Sequence, residues 1–297
     1  MIGKWLVLAF AAVCWIGAAE AKPLRVVATF TVLADMATQI GGPDVEVHSL
    51  VGSNGDVHAY EPTPDDARAL AEADLVLVNG LHLEGWIDRL VTVSGYKRKI
   101  VVASEGIKLR SFAGEAGSEA PVVDPHAWNS AANGAIYAAN IARALAAADA
   151  DHAAGYRDRA ERYAGELREL DAWARRVISA IPTAKRKIIT SHDALGYLAD
   201  AYAIEVHAPI GFSTTSEASA GEIATLIQQI RREHIKAVFI ENASDPRLVK
   251  QIARETGAKL GGTLYPEALS EPGGPAPTYV QMFRHNIETI RAGMQQN

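Results

Sequence analysis

Residues 156–181, YRDRAERYAGELRELDAWARRVISAI, decide how the rest of the chain is read. Apolar side chains recur at Tyr156, Ala160, Tyr163, Leu167, Leu170, Ala174, Val177 and Ile181, in alternating steps of four and three. That spacing lays a single stripe along one face of one helix. At a rise of 1.5 Å per residue the segment spans about 39 Å, enough to cross a whole domain. Only about four repeats are present and both flanks differ in character. A connecting spine is therefore expected rather than a coiled coil.

On either side, short β-branched runs alternate with amphipathic stretches, the pattern of a parallel sheet covered by helices. Before the spine, strands are expected at Leu24–Phe30, Val45–Val51, Leu75–Val78 and Ile100–Ala103. A helix from Val32 to Ile40 stops at Gly41-Gly42, and Thr63-Pro64-Asp65-Asp66 opens another with a cap, a first-turn proline and first-turn acids. After the spine the pattern restarts, with strands at Lys187–Thr190, Ile204–Ala208, Ala237–Ile240 and Lys259–Leu264. Ser219-x-x-Glu222 is a capping box for a helix running towards His234. Asp245-Pro246 starts a helix ending near Gly257, and a last helix covers Thr278–Met294. The expected architecture is α/β, with a first lobe at 22–150, a linking helix within 151–183, a second lobe at 184–297 and a cleft between the lobes.

Residues 1–21 read as an export signal. Lys4 precedes an apolar run, Trp5 to Gly17, too short to span a bilayer, and Ala19-Glu20-Ala21 forms a small-x-small cleavage pattern before Lys22. The single cysteine, Cys14, follows Val13 and precedes that pattern, so cleavage and periplasmic release are expected instead of a lipid anchor. The mature chain of about 275 residues would then lack thiols, leaving nitrogen and oxygen as metal donors. A net charge of -6 and no basic run give nucleic acid no electrostatic footprint.

Three histidines and one glutamate stand just beyond expected strands: His58 in GSNGDVHAYEPTP, His126 in DPHAWN, His192 in IITSHDALGYLADAY and Glu267 in GGTLYPEALSEPGGP. Residues at strand C-termini of an α/β sheet point into the crevice where ligands bind. Three imidazoles and a carboxylate converging there would suit a divalent transition metal. Asp124 is close enough in sequence to orient His126 from behind. His82 in NGLHLEGW is the reserve ligand, otherwise a surface-loop residue. Glu241 in FIENASDP is the second-ranked carboxylate, otherwise a contact to the helix opened by Asp245. His48 and His207 fall within strands, and His152, His234 and His285 on exposed or cap-like helix positions.

The segments HAYEPTPDD, LVLVNGLHLEGW, DPHAW, TSHDALGYLADAY, AVFIENASDPRLVKQIARETGAKLGG and GGPAPTYVQMFRHN, in that order, resemble the cluster A-I (cluster 9) solute-binding proteins of bacterial zinc and manganese ABC importers. The resemblance covers essentially the whole mature chain. It implies two (β/α)4-type lobes joined by a rigid backbone helix, with the metal between lobes on ligands matching His58, His126, His192 and Glu267. It also implies a periplasmic, monomeric receptor, not an enzyme, that carries its ion as cargo to an ABC permease with a cytoplasmic ATPase. A metallochaperone is an additional candidate partner. The chain departs from the family pattern in three places. The fourth ligand is usually aspartate, zinc receptors often carry a His-rich loop that SFAGEAGSEAPVV (111–123) lacks, and His192 stands where manganese receptors often have glutamate.

The donor set itself favours zinc, because three imidazoles suit a borderline cation and Zn²⁺ stands above Mn²⁺ and Fe²⁺ in the Irving–Williams order. Mn²⁺ and Fe²⁺ are the alternatives. A zinc hydrolase is the rival class, but H-E-x-x-H is absent and no nucleophile–base pair is apparent.

Overall fold

The structure, a computed structural model, describes residues 22–112, 122–216 and 218–297. The expected signal segment and residues 113–121 of the 111–123 loop lie outside the described residues.

The first lobe carries β1 (Leu24–Phe30), β2 (Val45–Val51), β3 (Leu75–Val78) and β4 (Ile100–Val102), all parallel in the order β2-β1-β3-β4. Helices α1 (Thr31–Gly41), α2 (Pro64–Glu72) and α3 (Ile87–Ser94) connect them. Thr63 caps α2 reciprocally with Asp66, as its sequence expects. A two-residue hairpin, β5 (Ser111–Phe112) with β6 (Val122–Val123), then leads into the His126 segment.

Two long helices follow, α4 (Ala131–Ala148) and α5 (Ala153–Ser179). The sequence reading marks no helix at α4. Its run AANGAIYAANIARALAAA has alanine on every face, so helix propensity is high while the polar–apolar contrast that reveals an amphipathic helix is weak. The spine is α5, with Tyr156, Ala160, Tyr163, Leu167, Leu170 and Ala174 buried as expected. The expectation fails at its last turn, where Ile178 is buried instead of Val177. A straight helix of 3.6 residues per turn drifts away from a 3.5-residue repeat, and over three heptads the drift moves the seam by one residue. Ile181 is buried beyond the helix end.

In the second lobe, β7 (Lys187–Ile189), β8 (Glu205–His207), β9 (Ala237–Glu241) and β10 (Lys259–Leu264) form a second parallel sheet in the order β10-β9-β7-β8. Its helices are α6 (Gly196–Tyr202), α7 (Ala220–Glu233), α8 (Arg247–Thr256) and α9 (Tyr279–Met294). Ser219 and Glu222 form the expected capping box on α7.

Alternate strand residues face opposite ways, and in this sheet they feed two separate cores. Ile188, Ala237 and Phe239 join a large core that runs through the first lobe, the spine, α6 and α9. Ile189 and Val238 join a small cluster of their own with α7 and α8, built on Leu226, Ile230, Val249 and Ile252. The lobes are tied together on the inner side. Tyr279 Oη donates to the Trp128 carbonyl at 2.6 Å, and Asp35 of α1 accepts the Tyr279 amide at 2.8 Å at the start of α9. Gly134 permits this approach, because a Cβ there would meet the Tyr279 hydroxyl at 2.8 Å.

Candidate metal centre

Each of the four singled-out residues is fixed by a partner behind it. His58 lies in the turn after β2, where Asp56 Oδ1 accepts from the His58 and Ala59 amides at 2.8 and 3.1 Å. His126 opens the short turn Ala127–Asn129. Asp124 Oδ1 meets both its amide, at 3.0 Å, and its Nδ1, at 2.9 Å. The other Asp124 oxygen accepts from Arg110 at 3.0 Å. His192 follows β7, and Glu241 at the end of neighbouring β9 accepts from the Ser191 and His192 amides and stands 2.5 Å from His192 Nδ1. Glu267 follows β10, its peptide held from the other lobe by Trp128 Nε1 and Asn129 Nδ2, which donate to the Pro266 carbonyl at 2.8 and 3.0 Å.

The structure brings His58, His126, His192 and Glu267 into one group, with a ligand atom of each within 4.8 Å of the others. Glu267 Oε1 stands 2.8 Å from His58 Nε2 and 3.1 Å from the Nε2 atoms of both His126 and His192. His58 Nε2 and His126 Nε2 are 3.2 Å apart. Bonds of about 2.0–2.1 Å to a tetrahedral ion would separate the donors by about 3.3 Å. Those four separations lie within about 0.5 Å of that value, and the remaining two are no more than 4.8 Å. The same separations suit hydrogen bonds, so a proton and a metal ion compete for this space. Glu267 Oε2 is buried without a hydrogen-bond partner, a second oxygen turned away from water.

His126, His192 and Glu267 are all within 1 % of full burial, and the His58 side chain is 6 % exposed. Burial alone would lower the imidazole pKa of His126, but hydrogen bonds to Asp124 and Glu267 outweigh it and hold the pKa above the ordinary value of 6.5. His192 is held well above 6.5, because the charges of Glu241 and Glu267 overcome desolvation. Burial would raise Glu267, yet the His192 charge and hydrogen bonds from all three histidines keep it well below the carboxylate range.

The alternatives fall elsewhere. His82 is exposed, at a positive φ of 63°, and is outside the group. Glu241 is not one of the converging donors, and its expected contact to the α8 N-terminus is not its main one. It orients His192, a role hidden in the sequence because nothing there says that β9 lies beside β7. His152 and His234 sit at helix caps as expected, whereas His48 is exposed because β2 is an edge strand. A second His/Glu group among the described residues, Glu205, His207 and Glu233, already holds the Lys187 ammonium, 2.6 Å from Glu233.

Comparison with known proteins gives the chain a family. The family model described as zinc-uptake complex component A, periplasmic, matches residues 26–293. The iron-binding protein YfeA of Yersinia pestis is 34% identical over 278 residues, covering 93% of this chain and 88% of that protein. The manganese-binding lipoprotein MntA of Bacillus subtilis is 33% identical over 284 residues, covering 94% of this chain and 92% of that protein. The solved periplasmic zinc-binding protein TroA of Treponema pallidum superposes with a TM-score of 0.86 at 31% identity, covering 92% of this chain and 99% of that one.

Proposed function

The chain belongs to the family of periplasmic zinc-uptake component A and related metal-binding proteins of ABC transporters, and from that premise we propose that it is a receptor that captures zinc between its lobes and delivers it to an importer. Its family makes it a periplasmic divalent-metal-binding protein of the substrate-binding class. We assign the cargo ligands to His58, His126, His192 and Glu267. The observation that carries this is the convergence of three buried or nearly buried Nε2 atoms on one carboxylate oxygen.

Residues 22–150 and 184–297 serve as the two lobes and 151–183 as the link, so each lobe contributes two ligands. Binding clamps them together and its free energy stabilises the loaded form. With Glu267 as fourth donor the coordination sphere is closed by protein, which favours carriage over hydrolysis. Three imidazoles favour zinc over manganese or iron(II). The relatives named for manganese and iron give the second reading its weight, and the free second oxygen of Glu267 supports it, since harder ions accept more oxygen donors. We read the protein as a monomer that meets a permease and its ATPase, with a metallochaperone as a further partner.

Several relatives are named lipoproteins, so release by cleavage after residue 21, with Cys14 removed, is a point on which this chain would differ from them. One preparation tests both matters. Intact mass should place the mature N-terminus at Lys22, and a diacylglyceryl-modified Cys14 would refute release. Titration of the chelator-stripped protein should give one ion per chain with Zn²⁺ bound more tightly than Mn²⁺. The reverse order would assign the cargo to manganese.

Glu241→Ala should weaken zinc binding by about 10- to 100-fold, the usual cost of losing a carboxylate behind a metal-bound imidazole. Competition with a chromophoric chelator measures it. Unchanged affinity would mean that Glu241 only supports the fold.

A further inference from the structure

The loop from Ile210 to Ser216 in the second lobe touches the proposed metal centre on three sides. At its stem, Ile210 pairs with His192 in an isolated β-bridge, and the Asp193 amide donates to the Ile210 and Gly211 carbonyls at 3.1 and 3.2 Å. The half-buried Phe212 ring lies 6.5 Å from the His126 ring. Beyond it, Thr214 Oγ1 donates to Asp56 Oδ2 at 2.7 Å, across 158 residues of sequence and from one lobe to the other. Asp56 is the residue whose other oxygen holds the His58 amide. One loop is thus connected to His192 through its stem, to His126 through an aromatic ring and to His58 through a carboxylate.

The centre itself is closed. Three of its four side chains have no exposure and the fourth has 6 %. Beside it lies a cavity of about 190 Å³, lined by Asp56, Ser191, His192, Ile210, Thr214 and Ser244 among others. The cavity reaches His192 on one side and the Thr214–Asp56 bond on another. An ion leaving by this way passes under the loop.

We propose that the Thr214–Asp56 hydrogen bond is the latch of the metal centre, and that Asp56 is a positioning residue which couples opening of the 210–216 loop to loosening of His58. The proposal rests on the ligand assignment made above. When the latch opens, Asp56 loses its second anchor. The turn that presents His58 then keeps its ties at Asn54, to the Leu269 carbonyl and Asn242, and at Val57, to Trp86, but loses the one at Asp56 next to the ligand, while Phe212 withdraws from His126. Release of the loop and release of the first-lobe ligands become one event. The latch governs how fast the ion leaves more than how many ions bind.

Zinc-loaded protein mixed with excess chelator gives the release rate directly. Thr214→Val, which keeps the side-chain shape and removes the donor, should speed release about tenfold, the scale for losing one partly exposed hydrogen bond to a carboxylate. Thr214→Ser should restore the slow rate. Thr215→Val removes a hydroxyl whose one bond among the described residues lies within the loop, to Ser213 Oγ at 2.7 Å, and should leave release unchanged. Asp56→Ala should both speed release and weaken equilibrium binding, because it also frees the His58 amide. A Thr214→Val protein that binds one zinc but releases it within twofold of the wild-type rate would overturn the latch and leave the ligand assignment standing. Equal acceleration by Thr215→Val would overturn it too, as general loosening of the loop. Wild-type protein with no tight zinc site would remove the assignment and the latch together.

Discussion

Zinc affinity is expected to fall about 100-fold for each pH unit below 6.5, and to be falling already above that value, where a free imidazole would be neutral. In the ion-free protein the pKa values of His126 and His192 are both raised above 6.5. Below those values each binding event displaces two protons, and each displaced proton costs a factor of ten per pH unit. Glu267 stays ionised throughout because its own pKa is depressed well below 4.5, so it does not compete. The stability of the ion-free protein follows the same groups with definite signs. The histidines contribute stability that is full below pH 6.5 and is lost as pH rises through their raised values. Glu267 contributes stability above about pH 4.5 that is lost as pH falls towards its depressed value. The thermal shift produced by saturating zinc should therefore grow from pH 5.5 to pH 7.5. Competition titrations and melting curves across that range measure both effects, and an affinity flat over it would refute three histidine ligands.

Replacement of His126 by alanine should weaken zinc binding by two to three orders of magnitude. Zinc held by a full protein ligand set is worth about 10–16 kcal/mol, so one of four donors carries about 2.5–4 kcal/mol. His126 is the sharpest test because it is completely buried, with no room for a neighbour to move in and with Asp124 on its far nitrogen. The substitution also strands the Asp124 carboxylate, though its bond to Arg110 limits the damage to the fold. Glu267→Ala tests the fourth position. Its loss should cost affinity on the same scale if Glu267 coordinates directly, and little if water completes the sphere. A His126→Ala protein with wild-type affinity would place the metal elsewhere.

The spine and both sheets were legible because burial in each leaves a periodic trace. Tyr156 to Ala174 repeat with the helix, and Leu24–Phe30 reads as a strand buried on both sides. The α4 helix was not legible, since alanine satisfies both faces of a helix without marking either. His58, His192 and Glu267 could be picked from strand ends because a parallel sheet always delivers its C-terminal edge to one rim, whereas His126 follows the small antiparallel hairpin β5–β6, outside the parallel sheet. Their supports were less accessible. Asp124 sits two residues from His126 and could be guessed, whereas Glu241 lies 49 residues from His192 and reaches it through strand order alone. The bonds from Trp128 and Asn129 to the Pro266 carbonyl depend on how the two lobes meet, which no local pattern encodes.

The undivided core that runs through the first lobe, the spine, α6 and α9 bears on how a membrane partner tells a laden receptor from a spent one. A molecule hinged between two independent cores could announce its cargo by a change of outline. Here such a change would have to break packing that spans both halves, as well as the Tyr279–Trp128 bond. The parts free to respond are the layer of α7 and α8, resting on its own small cluster, and the loop at 210–216. On the proposed receptor role, the loaded state is then expected to show on the α7–α8 layer and the 210–216 loop of the second lobe. A partner that reads it needs to touch little else with discrimination, and the remaining contact surface is free to serve affinity alone.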